Sequence, residues 1–415
     1  MDIIFSYDWI GIVIALIVGL IGYGVFSLGR RISRRGGKWF LMGIGCIILL
    51  VFLALLAGSV YHVFQVVRLA QKYPPPGQIY DVDGVKMHIW AEGTNVADEE
   101  GNISPTVIFI PGGYSPGLGL WHLHKKIAKE TRSILFDRAG TGWSQRSPYP
   151  RHVKRDALEL KKLLDAAGER GPFVLVGHSW GGFFANNFAL NHPEYVAGLV
   201  ILDGTPPDSI TGPGAKGLLM FAKYLKLHSI AKLFSATRFL PSLGGEGAED
   251  PDSPNFIYKD LREVFQLYEA TEVKAQSGWA AAASFEAMIK NPELQVKDAN
   301  ALGDIPMFAI YRENMNSEME NLTEEEKQKM KEQSMKMLKV SEQEYDQMMA
   351  SIQASVEKVP KLSKKGVLIH PPEGSTHQFP YEFPEFCVEK IREMISLVMT
   401  GESPELESDA DKADK

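Results

Sequence analysis

Two long uncharged stretches, Trp9–Leu28 and Trp39–Tyr61, precede a change in the pattern of apolar and polar positions. Each run is long enough to cross a hydrocarbon core of roughly 30 Å as a helix, and a helix satisfies its own backbone there. Trp9, Trp39 and Tyr61 mark run ends, where aromatic rings favour the interface. Between the runs lie Arg30, Arg31, Arg34, Arg35 and Lys38 with no acid. Residues 1–72 therefore read as a membrane anchor of two transmembrane helices, 9–28 and 39–61. The basic loop 30–38 is expected on the cytoplasmic side and the rest of the chain on the extracytoplasmic side. Arg68 and Lys72, close to the second run, pull against that orientation. Gly11, Ala15 and Gly19 fall four apart, as do Ala54 and Gly58, and such small stripes predict close helix pairing. A cleaved signal peptide fits the first run poorly, since it lacks a basic start and a second span follows.

Pro74, Pro75, Pro76 and Gly77 mark a linker. Two strands, Gln78–Val82 and Val85–Glu92, flank the turn signal Asp83-Gly84. After a polar loop at 94–104, short apolar runs alternate with amphipathic segments. Strands are expected at 106–110, 133–136, 172–176 and 197–202, and helices near 118–130, 152–167 and from 181. That alternation predicts an α/β fold with a mostly parallel sheet covered on both faces. The strand rhythm stops over 204–303, a stretch rich in helix formers with a Gly/Pro/Asp-rich break near 242–254, and reads as an inserted helical cap. It resumes at 305–311 and 366–370, so that 73–203 and 304–399 make up the core. A charged helical excursion, 317–359, is flanked by Met315 and carries Met319, Met330, Met335, Met337, Met348 and Met349. A methionine-rich face can adapt to greasy ligands, but a packing face is the commoner use of such a pattern. The last helix is expected over 382–399, and the acidic tail 400–415 is expected to be disordered.

Composition changes this picture only by exclusion. The 415 residues carry a net charge of −7, some of it in the tail, and no basic domain that would point to nucleic acid. The two cysteines, Cys46 and Cys387, give no disulfide framework, and no zinc-type spacing of Cys and His appears.

The chemistry-bearing stretch is Phe173–Gly182, an apolar strand running into Gly177-His178-Ser179-Trp180-Gly181 and then a helix. A serine at a sharp strand-to-helix turn projects its hydroxyl from the sheet edge, and the helix N-terminus faces developing negative charge. The Trp180 amide can donate to an oxyanion. Gly113-Tyr114-Ser115-Pro116-Gly117 fits the same pattern, but Pro116 has no N–H to give an oxyanion. A hydroxyl nucleophile needs a base near neutral pH. His377, in the Gly/Ser/Thr-rich loop after the last strand, supplies one. His178 is adjacent to Ser179 but on the wrong side of the turn to take its proton. His122 and His124 either line a pocket or are surface groups.

Residues 78–399 resemble the α/β-hydrolase superfamily. Ile110-Pro111-Gly112-Gly113 is similar to the loop that supplies the second oxyanion donor, which implies the Gly113 amide, or less favourably Tyr114, for that role. Asp137–Ser144 resembles the family's bracing Asp-x-x-Gly-x-Gly-x-Ser loop, and Gly374–Phe379 the segment that presents the histidine. The acid departs from the pattern, because Met315 falls where the family often has Asp after the seventh strand. Asp203, at the end of the sixth strand, is the favoured acid and Glu313 the alternative. The resemblance implies a serine hydrolase acting on an ester or related acyl bond with no metal or organic cofactor, the helical cap suggests a small lipophilic substrate, and the two apolar runs make the bilayer a partner. Acyl transfer or cofactor-free haloperoxidase-like chemistry on the same residues, and a non-catalytic binding module, are the alternatives.

Overall fold

The computed structural model describes residues 2–113, 115–239, 264–313, 323–338 and 340–401. The break near 242–254, Met315, Met319, Tyr114 and the tail beyond Gly401 lie outside them. Eight strands form one sheet: β1 Gln78–Val82, β2 Val85–Glu92, β3 Thr106–Ile110, β4 Ser133–Phe136, β5 Phe173–His178, β6 Val196–Leu202, β7 Met307–Ile310 and β8 Gly366–Ile369. Their order is β1-β2-β4-β3-β5-β6-β7-β8. β1 pairs antiparallel with β2, and β2 with β4; every other pair is parallel. The expected α/β fold with a mostly parallel sheet is the one observed.

The helices are α1 Ile10–Arg31, α2 Arg35–Lys72, α3 Trp121–Ile127, α4 Val153–Ala167, α5 Trp180–Asn191, α6 Gly212–Leu233, α7 Ala236–Phe239, α8 Phe265–Glu272, α9 Gln276–Lys290, α10 Glu324–Leu338, α11 Glu342–Val356, α12 Phe379–Glu382 and α13 Pro384–Thr400. Local rules explain several of them. α4 buries Val153, Ala157, Leu160, Leu163 and Leu164 along one stripe. It starts with the His152 side chain accepting from the Arg155 amide and stops at Gly168 in the left-handed region. α11 opens with a reciprocal cap between Ser341 and Glu344. β3, β4, β5 and β7 are buried throughout, which is why their sequences read as unbroken apolar runs. The core under the sheet includes Ile108, Phe136, Leu175, Phe184 and Phe188. The methionines of the excursion do not share one environment: Met348 is buried, whereas Met330 is exposed.

By chain contacts the molecule divides into two compact units. One holds the sheet, within Pro76–Met220 and Ala283–Lys415. The other joins Met1–Pro75 to the described residues of Phe221–Phe256 and Arg262–Ala282. The stretch 204–303 is thus split between the units.

In the second unit α1 and α2 are both long and apolar enough to cross a membrane. Both extend beyond the uncharged runs, so the basic segment 30–38 is largely helical and only Ile32–Arg34 lies between the helices. The small-residue stripe on α1 is buried at Gly11, Ala15 and Gly19, and Phe52 packs where a side chain on Gly19 would go. The expected stripe on α2 is corrected. Ala54 faces outward, Gly45 packs on Phe26 instead, and Gly58 packs against the main chain of Phe234. Spacing alone does not fix which face of a uniformly apolar helix meets its neighbour.

Two substitutions probe this packing. Phe188→Ala, at a fully buried site, should cost roughly 3–5 kcal/mol. Met330→Ala should stay within about 0.5 kcal/mol. Denaturant titration of the detergent-solubilised protein, followed by near-UV circular dichroism, measures both.

Candidate active site

β5 delivers Ser179 at its carboxyl end, in a backbone conformation that L-residues rarely adopt: φ is 54° and ψ is −124°. Such a conformation costs on the order of 1–3 kcal/mol and persists where the surroundings enforce it. They do so here. The Ser179 amide donates to the Leu202 carbonyl at 3.1 Å, and its carbonyl accepts from the amides of Gly182 and Thr205. The turn also brings α5 against β3 so closely that a Cβ on Gly181 would collide with the Ile110 carbonyl. Gly181 is therefore required by space. The second serine motif differs: Ser115 has no such backbone and precedes a short 3-10 helix capped by Pro116.

Around Ser179 the structure gathers residues far apart in the chain. His377 Nε2 lies 3.0 Å from Ser179 Oγ. Its Nδ1 lies 2.6 Å from Asp203 Oδ2. A carboxylate can only accept, so the ring donates through Nδ1 and presents Nε2 to the serine. Asp203 follows directly on β6, also at positive φ, 43°. Its amide donates to the Ile310 carbonyl at 2.8 Å, which ties the β6 end to the β7 end. Glu313 is exposed, and its carbonyl accepts from Gln353. Of the two acids considered, Asp203 is the one in hydrogen bond with His377. Burial works to raise the Asp203 carboxyl, but the bond from His377 and the charge of Arg312 hold it below the ordinary carboxylate range.

Gly112 sits behind Ser179, where a Cβ on it would be 3.4 Å from the serine Cβ. Gly113 lies on the same loop, and Trp180 is the first residue of α5. The carbonyls of Gly112 and Gly113 both accept from the Arg138 guanidinium, which holds this loop in place. Burial, then the nearby Arg151, pulls Arg138 down to about 10. The Asp137 carboxylate accepts from the Gly117 amide at 2.7 Å, the Trp143 amide at 2.9 Å and His88 Nδ1 at 2.8 Å, so this loop braces its neighbours. Phe285 packs over Gly113 and meets Trp180 edge-on, with ring centroids 4.7 Å apart. Trp180 in turn stacks on Phe183 at 4.7 Å.

The other histidines have defined places. His178 Nε2 donates to the main-chain carbonyl of His377 at 2.9 Å. Burial first, then the neighbouring His377 ring, pulls His178 down to about 3, so it is neutral. His122 and His124 are not surface groups, because the α3 face that carries them is packed against the domain. His122 Nε2 lies 2.8 Å from the Pro380 carbonyl, and His124 Nδ1 lies 2.8 Å from Ser133 Oγ. Sequence reasoning gave no role to Arg138, Arg312 or Phe285. Their one signal was position: Arg138 after β4, Arg312 after β7, Phe285 directly after the run of small residues Ala280–Ser284.

The depressed Asp203 carboxyl has a stability consequence. A group whose folded-state pKa lies below its unfolded value, about 3.9, contributes stability above that value and loses it as pH falls toward the folded one. Wild type should therefore be more stable than Asp203→Asn at pH 7, and the gap should narrow below pH ~4. Thermal unfolding of both proteins across that range checks this.

Residues 105–225 match the family model of the alpha/beta hydrolase fold. Among curated relatives, a putative carbamate hydrolase from Azorhizobium caulinodans is 37% identical over 100 residues, 24% of this chain and 37% of that protein. A human (lyso)-N-acylphosphatidylethanolamine lipase is 29% identical over 138 residues, 31% of this chain and 39% of the lipase. The chain spans less than half the length of either. An esterase structure from Thermogutta terrifontis superposes with a TM-score of 0.50 at 18% identity, covering 78% of this chain and 100% of that one. By matching segment and by sheet, the domain that follows the two apolar helices has the alpha/beta hydrolase fold.

Proposed function

We propose that the protein is a membrane-anchored serine hydrolase that cleaves an ester or related acyl bond of a small lipophilic substrate. The observation that carries this reading is the continuous chain Ser179 Oγ, His377 Nε2, His377 Nδ1 and Asp203 Oδ2, with steps of 3.0 Å and 2.6 Å across the two hydrogen bonds. Ser179 attacks the acyl carbonyl while His377 takes its proton. Asp203 keeps the ring in the tautomer that presents Nε2 and stabilises the imidazolium that forms. The amides of Gly113 and Trp180 hold the developing oxyanion. His377 then returns the proton to the leaving alkoxide, and water attacks the acyl-enzyme by the reverse sequence.

Two features favour a lipophilic acyl or aryl group. Phe285, Trp180 and Phe183 form an aromatic wall beside the oxyanion loop. The second lies in the other unit, where the described cap residues 221–239 and 264–282 are built onto α1 and α2. There the Asp8 carboxylate takes His62 Nε2 at 2.9 Å and the Ala275 amide at 3.0 Å through one oxygen. Ser235 Oγ donates to the Gly58 carbonyl at 3.0 Å, and Phe5 stacks on Trp279. With α1 and α2 crossing the bilayer and 30–38 on the cytoplasmic side, these cap segments meet the anchor at its extracytoplasmic end, where an apolar ester would be encountered.

A fluorophosphonate probe and a p-nitrophenyl ester series test the chemistry. Wild type should be labelled and hydrolytic; Ser179→Ala should lose both. Asp203→Asn should lower kcat by about 10⁴, while Glu313→Gln leaves it within twofold of wild type (about 0.4 kcal/mol). Absence of labelling in folded wild type would sink the reading.

A further inference from the structure

The end of β7 supplies a cation to the acid at the end of β6. Arg312 stands two residues beyond the end of β7, and Asp203 stands one beyond β6. The two strands pair in parallel through Leu202 and Ile310, and the Asp203 amide is fastened to the Ile310 carbonyl. From this adjoining position Arg312 Nε donates to Asp203 Oδ2 at 2.9 Å. That oxygen is the one that accepts from His377 Nδ1 at 2.6 Å. Among the described residues Asp203 Oδ1 is buried and takes no hydrogen bond. Both donors thus converge on a single carboxylate oxygen. Both members of the ion pair are buried, at 5% and 2% exposure for Arg312 and Asp203.

We propose that Arg312 is a positioning residue of the reaction set out above: it clamps Asp203 in one rotamer and, by compensating its charge, sets the pH at which His377 becomes available as a base. The inference rests on the serine-hydrolase reading. A buried carboxylate facing only a neutral imidazole is under-compensated, and such a pair gains a proton readily. With the Arg312 cation on the Asp203 oxygen that faces the ring, a second positive charge on His377 gains less from the carboxylate. Arg312 therefore favours the unprotonated ring that accepts the serine proton. Removing its charge lets the ring hold a proton to higher pH. Among the described residues the titratable groups near this set include His178, whose ring lies 4.9 Å from that of His377, Tyr381, 6.2 Å from His178, Tyr311, which packs beside Asp203, and Glu382, which accepts from the Thr376 amide beside His377 at 2.9 Å. From α3, His122 lies against Tyr381, with tilted rings whose centroids are 4.8 Å apart. Burial keeps His178 neutral and, followed by the charge of Asp203, keeps the Tyr311 phenol protonated, so neither contributes charge near neutral pH.

The test is the pH profile of kcat/KM on a soluble p-nitrophenyl ester, normalised to sites titrated with a fluorophosphonate so that only competent enzyme is counted. Arg312→Gln and Arg312→Met should move the acidic limb upward by about one pH unit. Arg312→Lys, which keeps the cation, should leave the limb within about 0.3 units while lowering the plateau through poorer geometry. An acidic limb unmoved in both neutral variants overturns the proposal, because a residue that only supports the fold would lower the plateau and leave the limb alone. If neither neutral variant yields titratable enzyme although Arg312→Lys does, Arg312 is a folding residue and the assignment also fails. The parent reading fails separately, on wild type that neither labels nor turns over.

Discussion

The structure of the sheet unit hangs on one tight reversal of the chain at Ser179. β5 is a buried parallel strand, and the helix that follows must start at once if it is to pack back on the sheet. The residue at the junction is forced to positive φ and is held there by hydrogen bonds to β6 and to the loop after it. Close approach of Gly181 to the Ile110 carbonyl then locks α5 against β3. Everything that surrounds the serine hydroxyl is referenced to that turn. The loop of Gly112 and Gly113 follows β3, the neighbour of β5 on one side, and Asp203 follows β6, the neighbour on the other.

Parallel pairing explains why residues so distant in the chain meet. All the strands from β4 to β8 in the sheet order end at the same edge, so loops that follow them share one side of the sheet. An acid at the end of β6 or β7 can reach a histidine that follows β8. The choice between them is settled by which end carries a carboxylate at the right depth. At the β7 end, Glu313 points to solvent while the preceding residue, Arg312, turns inward to Asp203. The two strand ends have in effect divided the work, one bearing the anion and the other its counter-charge. Arg138 acts in a comparable way in the loop after β4, where a buried guanidinium fixes two carbonyls rather than a carboxylate.

In the other unit, small residues and a few buried polar contacts add to a small apolar cluster of Ile10, Leu233 and Ala275. Gly45 and Gly19 let α1 and α2 approach through Phe26 and Phe52. Gly58 lets the chain near Phe234 lie directly on α2, and Asp8 joins α2 to the start of α9 through His62 and Ala275. Segments inserted between β6 and β7 in sequence are thereby fastened to the first helices of the chain. No periodicity could announce this, because the contacts are few and depend on main-chain groups.

The sequence by itself determined the elements whose signals are local. Uninterrupted apolar runs marked the two long helices and the buried strands. Alternation of strands and helices marked the parallel sheet, and Gly-x-Ser-x-Gly after an apolar strand marked the turn at Ser179, with Pro116 excluding the second match. Chain order and loop composition picked out His377 and left two acids in contention. Tertiary structure decided what depends on depth and direction across strand ends: Asp203 rather than Glu313 beside His377, Arg312 on the same oxygen, His122 and His124 inside rather than at the surface, and Gly45 rather than Ala54 between the long helices. Local patterns record how a residue sits relative to its own helix or strand. They carry no record of which neighbour lies within 3 Å once the chain has closed on itself, and hydrogen-bonded chemistry is decided at that distance.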